Sequence, residues 1–201
     1  LGTRKCFVVE ADEYDCAFFD KRAKFLHYRP NTLIINNIEF DHADIFADLT
    51  AIRREFHHLI RTVPGSGRVI CNGEDPEVAK VLTLGCWTPV EQFGADGAHW
   101  QLGPASPDYG AFSLQPAGGG AIEVSWELLG RHNALNAAAA MAGAHAVGVA
   151  PAVAGAALCQ FRGVQRRLQR IGSGNGITVY DDFAHHPTAI QATLEALRRH
   201  V

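Results

Sequence analysis

The 201 residues predict an α/β fold, a mostly parallel sheet with flanking helices. Three observations carry this. Apolar, β-branched runs occur at 6–10, 32–38 and 68–71, and segments of helical period lie between and after them, the pattern of parallel strands joined by crossover helices. The chain is 47% hydrophobic and 19% charged, enough for one sizeable core and part of a second domain. Gly, Pro and Ser concentrate in the stretch 94–120, which marks an excursion of different texture.

Each element follows from its residues. After the strands at 6–10 and 32–38, Leu49, Ile52, Phe56, Leu59, Ile60 and Val63 recur at helical spacing, and Pro64 and Gly65 end that helix. The run 68–71 is the next strand. "NGEDPEVAKVL" is a turn feeding a short helix from Asp75, with Pro76 at a helix-opening position. Residues 89–93 return to the sheet. "YGAFSLQ" and "AIEVSWELL" flank "PAGGG" as an antiparallel hairpin at the sheet edge. Two helices, "GRHNALNAAAAMAGAHAVGV" and "PAVAGAALCQF", are separated at Pro151. A change of texture at 162–176 reads as a domain junction, placing residues 1–162 in one domain and 163–201 in the start of another. There "VQRRLQRIGSGNGITVYDDF" reads as two strands around a Gly-rich turn, and Pro187 opens a final helix.

Bulk properties exclude several roles. A formal charge of −3 and a pI near 6.4 give no basic field for sequence-independent nucleic-acid binding, so any bound anion must be met locally. No apolar stretch approaches the ~20 residues that span a bilayer. The nearest, 134–149, is alanine-rich and broken by Gly143, His145 and Gly148, and it reads as a buried helix. Five widely spaced cysteines with no C-x-x-C pair support neither a disulfide framework nor a zinc knuckle, and favour a reducing cytoplasm.

The chemistry-bearing residues cluster after the strands. Glu10, Asp12, Glu13 and Asp15 follow the first run, and Glu39, Asp41, His42 and Asp44 follow the second. Open α/β sheets place ligand sites past the carboxyl ends of their strands. There one or two carboxylates can hold Mg²⁺ together with substrate phosphates, or the same acids can cap helices or sit in solvent. His42 is a metal ligand, a general base or a surface ion-pair partner. His57 and His58 are adjacent on one helix, cannot form an i, i+4 metal pair, and read as structural. His132, Asn133 and Asn136 stand near a helix start, where amides cap the helix or read a base edge. Arg166 and Arg167 suit a phosphate clamp or a solvated surface. Asp181, Asp182, His185 and His186 lie in a turn before Pro187 that can hold a ribose or phosphate, or be a capped loop.

Taken in order, "VVEADEYD", "NNIEFDHAD", "NGEDP", "GRHNALNA", "FRGVQRR" and "YDDFAHHPTAI" closely resemble the successive motifs of the ATP-dependent Mur ligases of bacterial cell-wall synthesis, across roughly residues 6–190. The segment between the two acidic clusters, longer, basic and aromatic, is most similar to the peptide-recycling branch of that family. The resemblance implies a central ATP-binding domain followed by the first strand and helix of a Rossmann-like C-terminal domain. It implies ATP and Mg²⁺ as cofactors, with UDP-N-acetylmuramate and the murein tripeptide L-alanyl-γ-D-glutamyl-meso-diaminopimelate as partners. Glu10 and His42 match the family's Mg²⁺ ligands, and Asn133 and Asn136 match its adenine contacts, with His132 adjacent. Arg167 matches the arginine near the γ-phosphate and Asp182 the acid at the ribose, while His185 and His186 fall in the turn that closes over the nucleotide.

The same resemblance implies a Gly-rich phosphate loop before "VVEADE" and a sugar-nucleotide domain before that. Neither occurs in the 201 residues, so the chain is expected to be a piece of a longer protein and inactive alone. The carbamylated lysine of some members has no counterpart on the helix that carries Arg53, Arg54, His57 and His58, which leaves a second metal open. Competing readings are a muramate:L-alanine ligase, a metal-dependent phosphohydrolase and a non-catalytic nucleotide-binding domain.

Overall fold

The computed structural model describes residues 6–200. Six strands form the main sheet in sequential order: β3 (Thr32–Ile35), β4 (Arg68–Asn72), β5 (Val90–Phe93), β6 (Trp100–Ala105), β7 (Ala111–Pro116) and β8 (Ile122–Ser125). β3 to β6 run parallel, and β6–β7–β8 continue antiparallel. The expected hairpin around "PAGGG" is therefore present, but it extends the main sheet through β6, a strand not expected from the sequence.

Helix α1 (Leu49–Ile60) connects β3 to β4, and α2 (Pro76–Thr83) connects β4 to β5. Their starts follow from capping. The Asp48 carboxylate accepts the Ala51 N–H at 2.8 Å, and Asp75 accepts those of Glu77 and Val78 at 2.8 Å, with Pro76 at the first helical position. The period of two along β4 separates the layers: Val69 and Cys71 pack with Ile52, Leu59, Val78 and Val81 on one face, while Ile70 packs on the other.

That second face is covered by α3 (Arg131–Ala146) and α4 (Pro151–Cys159). Ala134, Ala137, Ala138 and Ala142 are buried there, and their small side chains let α3 lie close against the sheet. Gly143 faces Ile34 so closely that a Cβ would fall 2.9 Å from its Cδ1.

Residues 169–200 form β9 (Gln169–Gly174), β10 (Ile177–Asp181) and α5 (Pro187–His200). β9 and β10 pair as a separate antiparallel sheet. Their link, Asn175 and Gly176, has φ of +51° and +78°, the doubly left-handed geometry that a tight two-residue hairpin demands.

Two features differ from expectation. Residues 6–10 form no strand, and Phe7 and Val8 are 80% and 92% exposed. A β-branched run becomes a strand only where a neighbour accepts its backbone hydrogen bonds, and among the described residues 6–10 pair with no strand, while β3 pairs with β4. Between the acidic clusters, the chain instead makes a small hairpin, β1 (Asp15–Ala17) and β2 (Asp20–Ala23), followed by a 3-10 turn at Lys24–His27. Its anchor is Phe25, fully buried against Phe56 with ring centroids 5.2 Å apart.

Candidate functional site

Beyond the carboxyl ends of β3, β4 and β5, the start of α3 meets the segments flanking β9 and β10. Gly94, with φ +89°, closes β5, and a Cβ there would strike Leu135 at 2.8 Å and approach the Asn72 Oδ1 at 3.3 Å. The first turn of α3 thus lies directly over the strand ends. Arg131 is held there by both Glu74 carboxylate oxygens, one of them at 2.7 Å. The Asn136 Oδ1 accepts from the Asn36 Nδ2 at 3.4 Å, joining α3 to the end of β3.

The cap of α3 is Gly130, at φ +89° and without a side-chain cap, so its first N–H groups face outward. A Cβ at Gly130 would fall 2.7 Å from His132 Cε1 and 2.8 Å from Ala196 Cβ, which fixes glycine at this crossing of α3 and α5. The Asn133 Nδ2 donates back to the Leu129 carbonyl at 2.8 Å; neither asparagine caps the helix. A cleft of about 110 Å³ opens beside them, lined by Tyr109, Gly130, Arg131, His132 and the α5 residues Glu195 and Ala196. A larger hollow of about 700 Å³ runs along α5, lined by Pro187, Ile190, Gln191, Leu194, Glu195 and Arg198.

His132 is half-buried, and burial pushes its imidazole below the ordinary histidine range. The Asp182 charge opposes that shift and the Arg167 charge reinforces it, so both residues lie within electrostatic reach. Asp182 organises the loop before β9: its carboxylate accepts the Leu168 N–H at 2.6 Å and the Ala184 N–H at 2.7 Å. Arg166 and Leu168, on either side of Arg167, have φ of +58° and +49°. Such left-handed conformations persist where the surroundings over-determine them, as around functional groups. Arg167 is exposed, its guanidinium 5.9 Å from the Phe183 ring, while Arg166 sits 5.1 Å from that ring and 3.4 Å from Asp181.

The second half of the site gathers after β3. His42 has φ +52°, its N–H is received by Asp41 at 2.7 Å, and its carbonyl accepts from Ile45 and Phe46. Its Nε2 lies 3.4 Å from the Glu13 Oε1, and its ring 5.0 Å from Tyr14. Glu10, the carboxylate expected beside it, is exposed and makes no hydrogen bond or ion pair among the described residues. The other acids divide. Asp12 is bound to Lys24 at 2.9 Å; burial acts to raise its carboxyl, but Lys24 and Tyr14 outweigh that and hold it below the usual range. Glu39 pairs with the His186 Nδ1 at 2.9 Å, which connects the turn before α5 to the end of β3. His185 turns away, its Nδ1 3.1 Å from the Phe183 carbonyl and its ring against Phe183.

The structure therefore ties Asn136 and His186 to residues just past β3, brings Asp182 and Arg167 within electrostatic reach of His132 beside Asn133 at the α3 start, sets His42 after β3, and gives Glu10 no polar partner among the described residues. Sequence reasoning missed Glu13 as the partner of His42, Glu39 as the partner of His186, and Asn36. The acids stood in the recognised clusters, but nothing local distinguishes which one turns inward. Among the described residues no helix is long and apolar enough to cross a membrane.

Residues 2–144 match the Mur ligase middle domain, and residues 166–201 match the glutamate ligase domain of Mur ligases. The chain is 54% identical over 198 residues to the UDP-N-acetylmuramate:L-alanyl-gamma-D-glutamyl-meso-2,6-diaminoheptandioate ligase of Escherichia coli (strain K12), covering 98% of this chain and 43% of that protein. It is 37% identical over 201 residues to the UDP-N-acetylmuramate:L-alanine ligase of Arthrobacter sp. (strain FB24), covering 98% of this chain and 41% of that one. The crystal structure of the UDP-N-acetylmuramate:L-alanyl-gamma-D-glutamyl-meso-diaminopimelate ligase from Neisseria meningitides superposes with a TM-score of 0.71 at 52% identity, over 78% of this chain and 48% of that chain. The chain spans less than half the length of the curated relatives it matches. With matched segments running from the strand-end acids through the α3 start to the β10–α5 turn, this chain belongs to the Mur ligase family.

Proposed function

We propose that the chain is the nucleotide-binding part, residues 1–162, and the beginning of the C-terminal domain, residues 163–201, of an ATP-dependent ligase. It joins UDP-N-acetylmuramate to L-alanyl-γ-D-glutamyl-meso-diaminopimelate in the cytoplasm. The observation that carries the reading is the meeting of the α3 start with Arg167 and Asp182 beyond the strand ends, in a chain whose identity to a tripeptide ligase, 54%, exceeds that to an alanine ligase, 37%.

The roles follow from chemistry. Asn133 and Asn136 offer amide donors and acceptors to an adenine edge, and His132, kept neutral by burial, offers a flat face that does not repel an uncharged base. The Asp182 carboxylate retains lone pairs beyond its two backbone bonds for ribose hydroxyls. Arg167, exposed and 5.9 Å from the Phe183 ring, can reach the γ-phosphate by turning about its stem. Closure brings His185 and His186 over the nucleotide.

The lactyl carboxylate oxygen of the muramate attacks the γ-phosphorus as the bond to ADP breaks. The amine of the tripeptide's alanine then attacks the acyl carbon, loses a proton and expels phosphate. Both steps gather negative charge on oxygen, which Arg167 offsets. The donors fit a divalent cation in part: the Glu13 carboxylate oxygen lies 3.4 Å from the His42 Nε2, while Glu10 is a hard oxygen ligand exposed to solvent, without a polar partner among the described residues. His42 and Glu10 would hold Mg²⁺, which when bound supplies positive charge to the phosphate oxygens.

The test uses the full-length protein with ATP, Mg²⁺ and UDP-N-acetylmuramate, following phosphate release and nucleotide-sugar mass. The expected result is phosphate and a tripeptide-sized mass gain only when tripeptide is present. Incorporation of L-alanine would move it to the other branch, and amine-independent phosphate release would make it a hydrolase.

A further inference from the structure

The small hairpin between the acidic clusters assembles a group that no sequence motif announces. Cys16 in β1, Asp20 in β2 and His27 in the 3-10 turn each bring one donor atom to a common point, all within 4.8 Å of one another. The spacings are four and seven residues, outside any C-x-x-C or H-x-x-x-H pattern, so only the fold creates the set. Two backbone features do so: an irregularity in the β1–β2 pairing between Asp15 and Ala17, and the 3-10 turn that carries His27 back beside β2. Cys16 and Asp20 are half-buried and His27 is at the rim.

The His27 Nε2 lies 3.0 Å from the Asp20 Oδ2. In a tetrahedral site with metal–nitrogen and metal–oxygen bonds of about 2.0 Å, two such ligands stand about 3.3 Å apart. The histidine and aspartate therefore already hold ligand spacing, and the sulfur closes the set by a rotation of Cys16. Thiolate, imidazole and carboxylate together are a borderline-soft donor set. They suit Zn²⁺ and its neighbours rather than Mg²⁺ or Ca²⁺, which take oxygen. Three protein ligands leave a fourth position for water.

The charges are complementary as well. A thiolate and a carboxylate neutralise a divalent cation. Without one, Arg22 supplies the counter-charge, its guanidinium reaching Asp20 at 2.7 and 3.0 Å. That arginine is largely exposed and can swing into solvent. Lys21, the other nearby cation, is engaged by Asp15.

We propose that Cys16, Asp20 and His27 form a binding site for a divalent transition metal of the zinc class, distinct from the Mg²⁺ position after β3. Occupancy ties β1, β2 and the 3-10 turn together. Because Tyr14, directly before β1, rests against His42, the metal stiffens one wall of the candidate active site.

The test titrates the purified protein with Co²⁺, whose spectrum reports ligand type. One equivalent should bind with a near-ultraviolet thiolate charge-transfer band and the strong visible bands of tetrahedral cobalt. Zn²⁺ should displace it, and a large excess of Mg²⁺ should not. Cys16→Ser should lose the charge-transfer band, and Asp20→Asn and His27→Gln should each weaken binding by roughly 10-fold or more. Arg22→Gln should tighten binding, because a competing charge is removed. Circular dichroism verifies that each variant folds; the hairpin is at the surface, and the serine exchange is nearly isosteric. Absence of the band, its persistence in Cys16→Ser, or weaker binding in Arg22→Gln would overturn the proposal.

Discussion

At His42 the backbone stands at φ +52°, where a side chain bearing a Cβ costs roughly 1–2 kcal/mol relative to glycine. His42→Gly is therefore expected to be more stable than His42→Ala by about 1 kcal/mol in urea unfolding, while both variants of the full-length protein lose Mg²⁺-dependent turnover. If alanine proves the more stable, the turn is not strained. The two arginines before β9 separate in the same way. Arg166 is tied to Asp181 at an exposed position, where an ion pair contributes little. Arg167→Ala should lower kcat of the full-length enzyme by roughly 10²–10³-fold, the cost of removing one donor to transition-state charge, and Arg166→Ala by far less. Equal losses would show that the loop, rather than the Arg167 charge, matters.

At the scale of elements, α4 lies close against β8. Gly155 faces β8 so closely that a Cβ would fall 2.4 Å from Ile122 Cγ2, a methyl on a branched carbon with few allowed rotamers. Helix propensity favours alanine over glycine by about 1 kcal/mol, yet overpacking a filled core costs roughly 1–3 kcal/mol. Gly155→Ala should therefore be neutral to destabilising by about 2 kcal/mol. Ile122→Ala in the same chain should recover much of the loss, so that the pair is non-additive in a denaturation cycle. Additive behaviour would mean that α4 shifts freely on the sheet. The opposite logic governs α3, whose alanines create the close approach that sets its first turn over the strand ends.

For the molecule as a whole, two polar contacts among the described residues join residues 163–200 to loops of the main sheet: His186 with Glu39, and His200 with Asp108, both at 2.9 Å. His200, the Ser106 hydroxyl and the Gly110 N–H together hold the Asp108 carboxyl well below the usual carboxylate range. A depressed carboxyl stabilises the fold above its unfolded value of about 3.9, and that contribution is lost as pH falls through the lower folded value. Asp108→Asn should accordingly be less stable than the parent at neutral pH and show a flatter acid limb between about pH 2 and pH 4 in urea midpoints. Hydrogen exchange in α5 should rise with it. An unchanged acid limb would mean that Asp108 does not anchor α5. Weak polar latches of this kind, with Gly130 and Ala196 as the close crossing, suit a junction that opens and closes, as the proposed nucleotide binding requires.

The sequence by itself determined the order and nature of most elements, because short-range rules set them. Asp48, Asp75 with Pro76, Pro151, and Asn175 with Gly176 are local signals whose hydrogen bonds or dihedral needs are met within a few residues. The motif order was equally legible, and with it the family. Tertiary structure decided what depends on partners distant in the chain. Residues 6–10 have strand composition but pair with no strand among the described residues, whereas β6, broken by Gly103 and Pro104, was drawn into the sheet by its neighbours. Which carboxylate meets which histidine was likewise undecided: Glu13 rather than Glu10 reaches His42, Glu39 reaches His186, and Asp20 and His27 meet beside Cys16. Acidic side chains one to three residues apart carry the same local signal, and only the packed backbone determines which of them points toward a given imidazole.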